Sequence, residues 1–107
     1  MQNSIANTPK TPYYAVIFTS KLTDQDEGYS DMAVKMLKLA SQQAGFLGAE
    51  SARESIGITV SYWSDLDAIK AWKQNTEHLV AQKNGREIWY QDYKVRICKV
   101  ERDYGLL

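Results

Sequence analysis

Apolar residues follow two different periods along the chain, and these periods predict its secondary structure. Two stretches repeat apolar residues at helical spacing, the first from Tyr29 to Ala40 and the second after Ser64. Aromatic and β-branched runs typical of strands flank them at 13–22, 46–54, 58–63 and 93–101. The order strand, helix, strand, strand, helix, strand predicts a ferredoxin-like βαββαβ fold of the α+β class.

Short polar signals predict where these elements end. Gly45 is predicted to end the first helix as its C′ residue. The polar turn at 53–57 predicts an antiparallel hairpin between the second and third strands. Ser64 is the predicted N-cap of the second helix, with Asp67 as an approximate capping-box acid.

The second helix carries a predicted buried stripe of Leu66, Ile69 and Trp72. On a straight helix Trp72 and His78 point well apart, because each residue turns the chain by about 100°. Asn75 is predicted to break the helix, cap a further segment and let these two side chains converge. That segment carries His78, Gln82, Gly85 and Trp89 on one side.

The predicted architecture is a four-stranded antiparallel sheet with both helices on one face. Both alternation phases of the strands contain apolar residues, so the face opposite the helices is also apolar. Such a face is not stable in water, and we expect a symmetric homodimer in which two sheets pack face to face. Residues 1–12, with Pro9 and Pro12, are expected to form a flexible N-terminal arm before a domain at 13–107.

The charge and length of the chain limit the kinds of binding partner that we expect. The 107 residues suit one domain, and 13 basic residues balance 13 acidic ones without bunching. Nucleic acid and anionic membranes, which need a concentrated basic face, are therefore not expected partners. No apolar run reaches the roughly 20 residues of a membrane span, and we expect a cytoplasmic protein.

Metal and cofactor motifs are not found in the sequence. A single histidine and a single cysteine do not supply a ligand set, and neither a Walker motif nor GxGxxG occurs. We therefore expect no metal and no cofactor. Cys98 lies in the fourth predicted strand and is interpreted as a small buried apolar residue.

Several short motifs, in order and spacing, resemble the antibiotic biosynthesis monooxygenase family. They are Gly45-Phe46-Leu47-Gly48, Tyr62-Trp63-Ser64, Ala71-Trp72, His78-Leu79, Gln82, Gly85-Arg86, Trp89-Tyr90 and Tyr93. The resemblance runs from about Tyr13 to Arg102. It implies a dimeric α/β barrel with a cavity between helices and sheet in each subunit. It also implies oxidation of a small aromatic or quinol-type compound by O2 without a cofactor.

Candidate site residues follow from this resemblance and from their chemistry. His78 is the candidate general base, since its ordinary pKa lies near neutrality, and Trp72 is the candidate ring that stacks on the substrate. The candidate substrate-binding residues are Tyr62, Gln82, Arg86, Trp89 and Tyr93. All of these except Gln82 have an alternative interpretation: Trp72 as core, Trp89 as a core or dimer contact, the tyrosines as packed rings, and His78 and Arg86 as solvated side chains. Trp63 is interpreted as a core or dimer contact.

Two other functions stay open at this point. One is a non-catalytic dimer that binds a small hydrophobic ligand, because no acid is clearly placed to partner His78. The other is haem binding or degradation, as in a branch of the wider group that uses an Asn on the first strand. Here that strand offers Thr19 and Ser20 instead, and the position expected for the haem ligand falls near Gln82.

Overall fold

A computed structural model describes residues 4–82 and 89–106, with the backbone but not the side chains at 78–82. The described residues form two helices and four strands in the predicted βαββαβ order. They are β1 (Tyr13–Leu22), α1 (Tyr29–Ser41), β2 (Phe46–Arg53), β3 (Gly57–Trp63), α2 (Leu66–Gln82) and β4 (Tyr90–Val100). The ferredoxin-like prediction is confirmed.

The four strands form one antiparallel sheet in the order β2-β3-β1-β4. Residues paired across antiparallel strands point to the same face. Tyr14 pairs with Trp63 of β3, and both pack with Ala40 of α1 and Ile69 of α2. Both helices therefore cover the same face, which we call the helix-facing side, and the opposite face is the outer face.

The core lies where the two helices meet β3. Trp63 is 0% exposed and forms the centre of a cluster with Ala40 and Ile69, which confirms its interpretation as a core residue. Its indole nitrogen donates to Ser61 Oγ at 2.9 Å, so the buried ring keeps a hydrogen-bond partner. Leu66 was predicted in the buried stripe but is exposed, because it is the first residue of α2 and precedes the part that packs on the sheet.

The turn between α1 and β2 corrects one predicted helix end. The first helix ends at Ser41 with Gln42 as its C-cap, so Gly45 does not terminate it. Gly45 instead lies before β2 with a positive φ of 87°. A Cβ there would lie 2.6 Å from the Ala68 Cβ, so the missing side chain lets this turn contact the start of α2.

The second helix differs from its prediction at the N-cap and at the predicted break. Asp65, and not Ser64, caps it, because the Asp65 Oδ1 accepts from the Ala68 amide at 2.8 Å. The predicted break at Asn75 is wrong: α2 is one helix through to Gln82, and the Asn75 amide bonds the Gln43 Oε1 at 3.2 Å. Trp89 immediately precedes β4 and does not extend the helix.

The outer face carries a network of hydrogen bonds at one end. The Glu50 carboxylate accepts from the Tyr62 hydroxyl at 2.6 Å and from the Ala6 amide at 2.9 Å. The Tyr13 hydroxyl donates to the Asp103 carboxylate, and its ring meets the Tyr62 ring edge-on at 5.9 Å. The described part of the N-terminal segment is thus bonded to the outer face of the sheet.

Cys98 also lies on the outer face, where it pairs with Ala15. The sulfur is exposed, which corrects the expectation that it is buried. The physical reason is that Cys98 lies on β4, an edge strand, and on the face opposite the helices. Separately, neither described helix is long and apolar enough to cross a membrane.

Candidate functional site

On the helix-facing side, the side chains of β4 are more exposed than those around β3. Tyr93, Val95 and Ile97 of β4 pair with Ser20, Phe18 and Val16 of β1, so all six point toward the helices. The three β4 side chains are nevertheless 39%, 47% and 52% exposed. We call Tyr93, Val95 and Ile97 the open strip. An exposed apolar surface on the side that also holds the core is a candidate site for an apolar ligand.

Five aromatic rings meet at the Tyr93 end of the open strip, and Tyr93 belongs to both groups. Phe18 lies 5.6 Å from both Tyr90 and Tyr93, and Tyr90 lies 5.4 Å from Tyr93. Tyr29 of α1 packs edge-on against Tyr90 at 5.6 Å and against Trp89 at 5.8 Å. We call Phe18, Tyr29, Trp89, Tyr90 and Tyr93 the ring cluster. These separations are those of favourable aromatic pairs, so the cluster is a packed surface of defined shape.

The ring cluster contains a hydroxyl that stays protonated. Burial raises the pKa of Tyr90 well above its ordinary value, and the hydrogen bond to the Tyr29 hydroxyl raises it further. The nearby charge of Arg53 acts on the same pKa in the opposite direction and does not outweigh these two effects. Tyr90 is therefore a hydrogen-bond donor near neutral pH and not a base.

A cation lies at one end of the cluster. Arg53 of β2 reaches across Gly57 of β3, its register partner, to the Ser20 Oγ on β1. Its Nη2 also lies 3.4 Å from the Tyr29 hydroxyl, and its guanidinium carbon lies 5.3 Å from the centre of the Tyr29 ring. Arg53, Gly57, Ser20 and Tyr93 thus form one row across all four strands on the helix-facing side.

The predicted catalytic pair is described only in part. Trp72 is half-buried and stacks on Trp63, with ring centres 5.9 Å apart and planes at 29°, so it belongs to the margin of the core. The His78 and Gln82 side chains, and Arg86 altogether, lie outside the described residues. Because α2 continues past Asn75, the kink expected to bring Trp72 and His78 together is not there.

The other three candidates lie in two places. Tyr93 is in the open strip, and Trp89 is a buried member of the ring cluster whose indole donates to the Glu27 carbonyl at 2.9 Å. Tyr62 is on the outer face, separated from both by the sheet. Burial and its hydrogen bond to Glu50 raise the pKa of Tyr62 above its ordinary value. The structure thus unites Tyr93 with Trp89 and separates Tyr62 from them.

The sequence did not identify several residues of this site as candidates, among them Phe18 and Ser20 of β1, Tyr29 of α1, Arg53 of β2, and Val95 and Ile97 of β4. Strand alternation could have placed Phe18 and Ser20 on one face. Gly57, which begins β3, is a further signal, because a missing side chain in a strand often marks close approach of another group. That Arg53 is the group in question depends on the hairpin register, which the sequence did not specify.

The described side chains suit recognition of a flat aromatic compound. Rings and branched aliphatic groups provide apolar contact, Tyr90 provides a neutral donor, and Arg53 provides a fixed positive charge. Among the described side chains, those of residues 4–77 and 89–106, no group of three His, Cys, Asp or Glu is placed to hold a metal ion.

The sequence of this chain matches a known family and a known protein. The family model for the antibiotic biosynthesis monooxygenase domain matches residues 12–84. Uncharacterized protein YqjZ of Bacillus subtilis (strain 168) is 50% identical over 104 residues, which is 95% of this chain and 91% of that protein.

Solved structures share the fold. SnoaB, a cofactor-independent oxygenase from Streptomyces nogalater, is 12% identical with a TM-score of 0.65, covering 90% of this chain and 98% of that chain. PA3566 from Pseudomonas aeruginosa is 20% identical with a TM-score of 0.68, covering 88% of this chain and 97% of that chain. At these identities the similarity establishes the architecture.

Proposed function

The chain belongs to the antibiotic biosynthesis monooxygenase family, and on that premise we propose that it oxidises a small aromatic or quinol-type compound with O2. We propose further that it does so without a cofactor, as the name of SnoaB states for that protein. The observation that carries this proposal is the open strip of Tyr93, Val95 and Ile97 beside the ring cluster. It gives an aromatic compound a surface on the helix-facing side.

The reaction we propose draws its electrons from the substrate. A phenol or quinol gives up a proton, and the resulting anion bonds through a ring carbon to one atom of O2. The hydroperoxide then loses water, so a C–H group becomes C=O and the second oxygen atom leaves as water. The protein would supply binding surface, a base and hydrogen bonds to the developing oxyanion.

For the described residues of the site, we propose roles from their positions. Phe18 and the open strip would hold the flat face of the substrate, and Tyr90, which stays protonated, would donate to a substrate oxygen. His78 remains our proposal for the base, with Gln82 and Arg86 proposed to line the space beside it. Trp72, at the margin of the core, remains proposed as a ring that stacks on the substrate. Tyr62 lies on the outer face of the sheet, so we do not propose that it contacts a ligand on the open strip.

We propose that the active form is a homodimer that pairs the outer faces. This face carries exposed Ile58 and Cys98 and half-buried Ile17 and Val60, which supports burial against a second copy. Sedimentation at micromolar protein should give a two-chain mass, and a one-chain mass would contradict the proposal. The expected cytoplasmic location stays a prediction.

Oxygen labelling tests the reaction directly. The protein is incubated with 1,4-naphthalenediol under ¹⁸O₂, and the product is analysed by mass spectrometry. Incorporation of one labelled atom into a hydroxynaphthoquinone supports oxygenation, whereas unlabelled naphthoquinone alone means that the quinol is only autoxidised. Tyr93→Ala should lower the labelled fraction, and Tyr104→Ala, at the exposed C-terminal segment, is the matched control. A His78→Ala protein with unchanged yield would exclude His78 as the base.

A second function, binding without catalysis, is favoured by one observation. The described residues of the ring cluster and the open strip include no histidine or carboxylate that could accept a proton from the substrate. Under this function the protein would bind 1-naphthol by calorimetry and show no labelled product with any phenol or quinol tested. Labelled product at a rate that depends on Tyr93 would exclude it.

A further inference from the structure

Arg53 carries a positive charge whose described partners are all neutral. Its Nη2 donates to the Ser20 Oγ and, at 3.4 Å, to the Tyr29 hydroxyl, and its Nη1 lies 3.5 Å from the Ser20 carbonyl oxygen. No carboxylate in the described part of the chain forms an ion pair with it. A guanidinium has five N–H donors, so donors remain for a further oxygen.

The fold gives this side chain a built position. A Cβ on Gly57 would lie 2.1 Å from the guanidinium carbon and from Nη2 of Arg53, so the arginine occupies the space that a side chain on β3 would fill. Its far end contacts Ser20, which is 2% exposed. A freely solvated surface arginine needs neither a glycine beneath it nor a buried hydroxyl at its tip.

The cation lies next to the proposed binding surface. Ser20 pairs with Tyr93 of the open strip, and Tyr29 contacts both the guanidinium and the Tyr90 ring. The guanidinium charge acts inside the ring cluster. It opposes the rise that burial causes in the pKa of Tyr90 without outweighing it. A compound lying on the open strip would therefore meet the aromatic rings along its face and Arg53 toward one edge.

We propose that Arg53 determines specificity by binding an anionic oxygen, phenolate or carboxylate, on an aromatic compound held by the open strip. The inference rests on the proposed function, because it needs an aromatic ligand at this surface. The guanidinium matches such oxygens in charge and geometry and keeps its own charge at all accessible pH values. By favouring the deprotonated form of a phenol, it would also favour the species that reacts with O2.

The test compares two probes that differ in charge and share a ring system. Binding of 2-naphthoate and of neutral 2-naphthalenemethanol is measured by calorimetry at neutral pH. The wild type should bind the anion about tenfold more tightly, as a charge-assisted hydrogen bond predicts. Arg53→Gln should abolish this preference and leave the affinity for the neutral probe nearly unchanged.

Two further variants separate recognition from folding. Arg53→Lys keeps the charge, packs in the same space and should keep part of the preference. Arg102→Gln removes an exposed arginine beyond β4 and should leave both affinities as in the wild type. A purely structural role for Arg53 would lower both affinities together, along with the unfolding temperature.

The outcomes distinguish this inference from the function on which it rests. Equal affinity of the wild type for both probes, or an unchanged preference in Arg53→Gln, would overturn the role of Arg53 alone. If the wild type binds neither probe, the open strip is not an aromatic site, and the proposed function falls together with the inference. A second readout is the titration of bound 1-naphthol, whose pKa should be lower on the wild type than on Arg53→Gln.

Discussion

The two halves of the helix-facing side are made of similar residues and differ in what covers them. Around β3, the Trp63 ring is enclosed by Ala40 and Ile69 and has no exposed surface. Across β1, on β4, Val95 and Ile97 are as apolar and remain about half exposed. Apolar residues thus mark both a core and a candidate binding surface, and only coverage by the helices distinguishes the two.

Sheet order explains this difference. β3 is an inner strand in the order β2-β3-β1-β4, and residues of both helices pack against its last residue, Trp63. β4 is an edge strand, two positions away from β3. The closed half stabilises the fold, and the exposed open half is the surface that we propose for a ligand.

Truncation of the central ring should have the largest effect. Trp63→Ala removes a side chain with no exposed surface and is expected to lower the free energy of unfolding by about 3–5 kcal/mol. Urea denaturation followed by circular dichroism measures it. A loss below about 1 kcal/mol would mean that the closed half is not packed as described.

Adding a single methyl group at Gly45 tests how tightly the closed half is packed. Gly45→Ala places a Cβ 2.6 Å from the Ala68 Cβ, at a residue with a φ of 87°, and should cost roughly 1–3 kcal/mol. Gly105→Ala is the matched control, because nothing lies within 4 Å of its added Cβ. Equal stability of the two variants would contradict the close contact between this turn and α2.

Alkaline pH tests the protonated hydroxyl beside the open half. The pKa of Tyr90 is higher in the folded than in the unfolded chain, so its contribution is complete below about pH 10. As pH rises above that value the unfolded chain releases the proton first, and stability falls by at most about 1.4 kcal/mol per pH unit. Tyr90→Phe should flatten the fall in unfolding temperature between about pH 10 and 11. A profile identical to the wild type would show that Tyr90 is not buried as a neutral group.

The smallest change in stability should accompany a clear change in binding. Val95→Ala in the open strip should cost less than about 1 kcal/mol in stability, because the side chain is 47% exposed. It should weaken 1-naphthol binding roughly threefold to tenfold, since the two methyl groups that it removes would be partly buried against the ligand. Val34→Ala on α1, at a residue 58% exposed, is the control and should leave binding unchanged. Equal affinities in the two variants would place the ligand elsewhere.

The sequence predicted the fold well because strand alternation and helical spacing are local signals. β1 was predicted with its observed bounds, and the hairpin between β2 and β3 was placed correctly. Asn75 was misread because its side chain, which can cap a helix, bonds Gln43 across to the α1–β2 turn. Propensity does not report such a partner.

The site was less predictable because it depends on the register between strands and on which sheet residues the helices cover. Tyr93 was identified, but Phe18, which its ring contacts, and Tyr29, which packs against Tyr90, belong to distant parts of the chain. Arg53 reaches the row of Ser20 and Tyr93 only because Gly57 stands between them in the sheet. Tyr62 resembles the other candidates in sequence, yet strand alternation puts it on the outer face.

Amide and methyl chemical-shift mapping with 1-naphthol would locate the ligand-binding surface on the protein. If the open half of the helix-facing side is the binding surface, the largest shifts should occur at Phe18, Tyr93, Val95 and Ile97. The indole of Trp63 and the outer-face residue Val60 should change little. Shifts centred on Val60 and Tyr62, or spread evenly over the protein, would contradict the account.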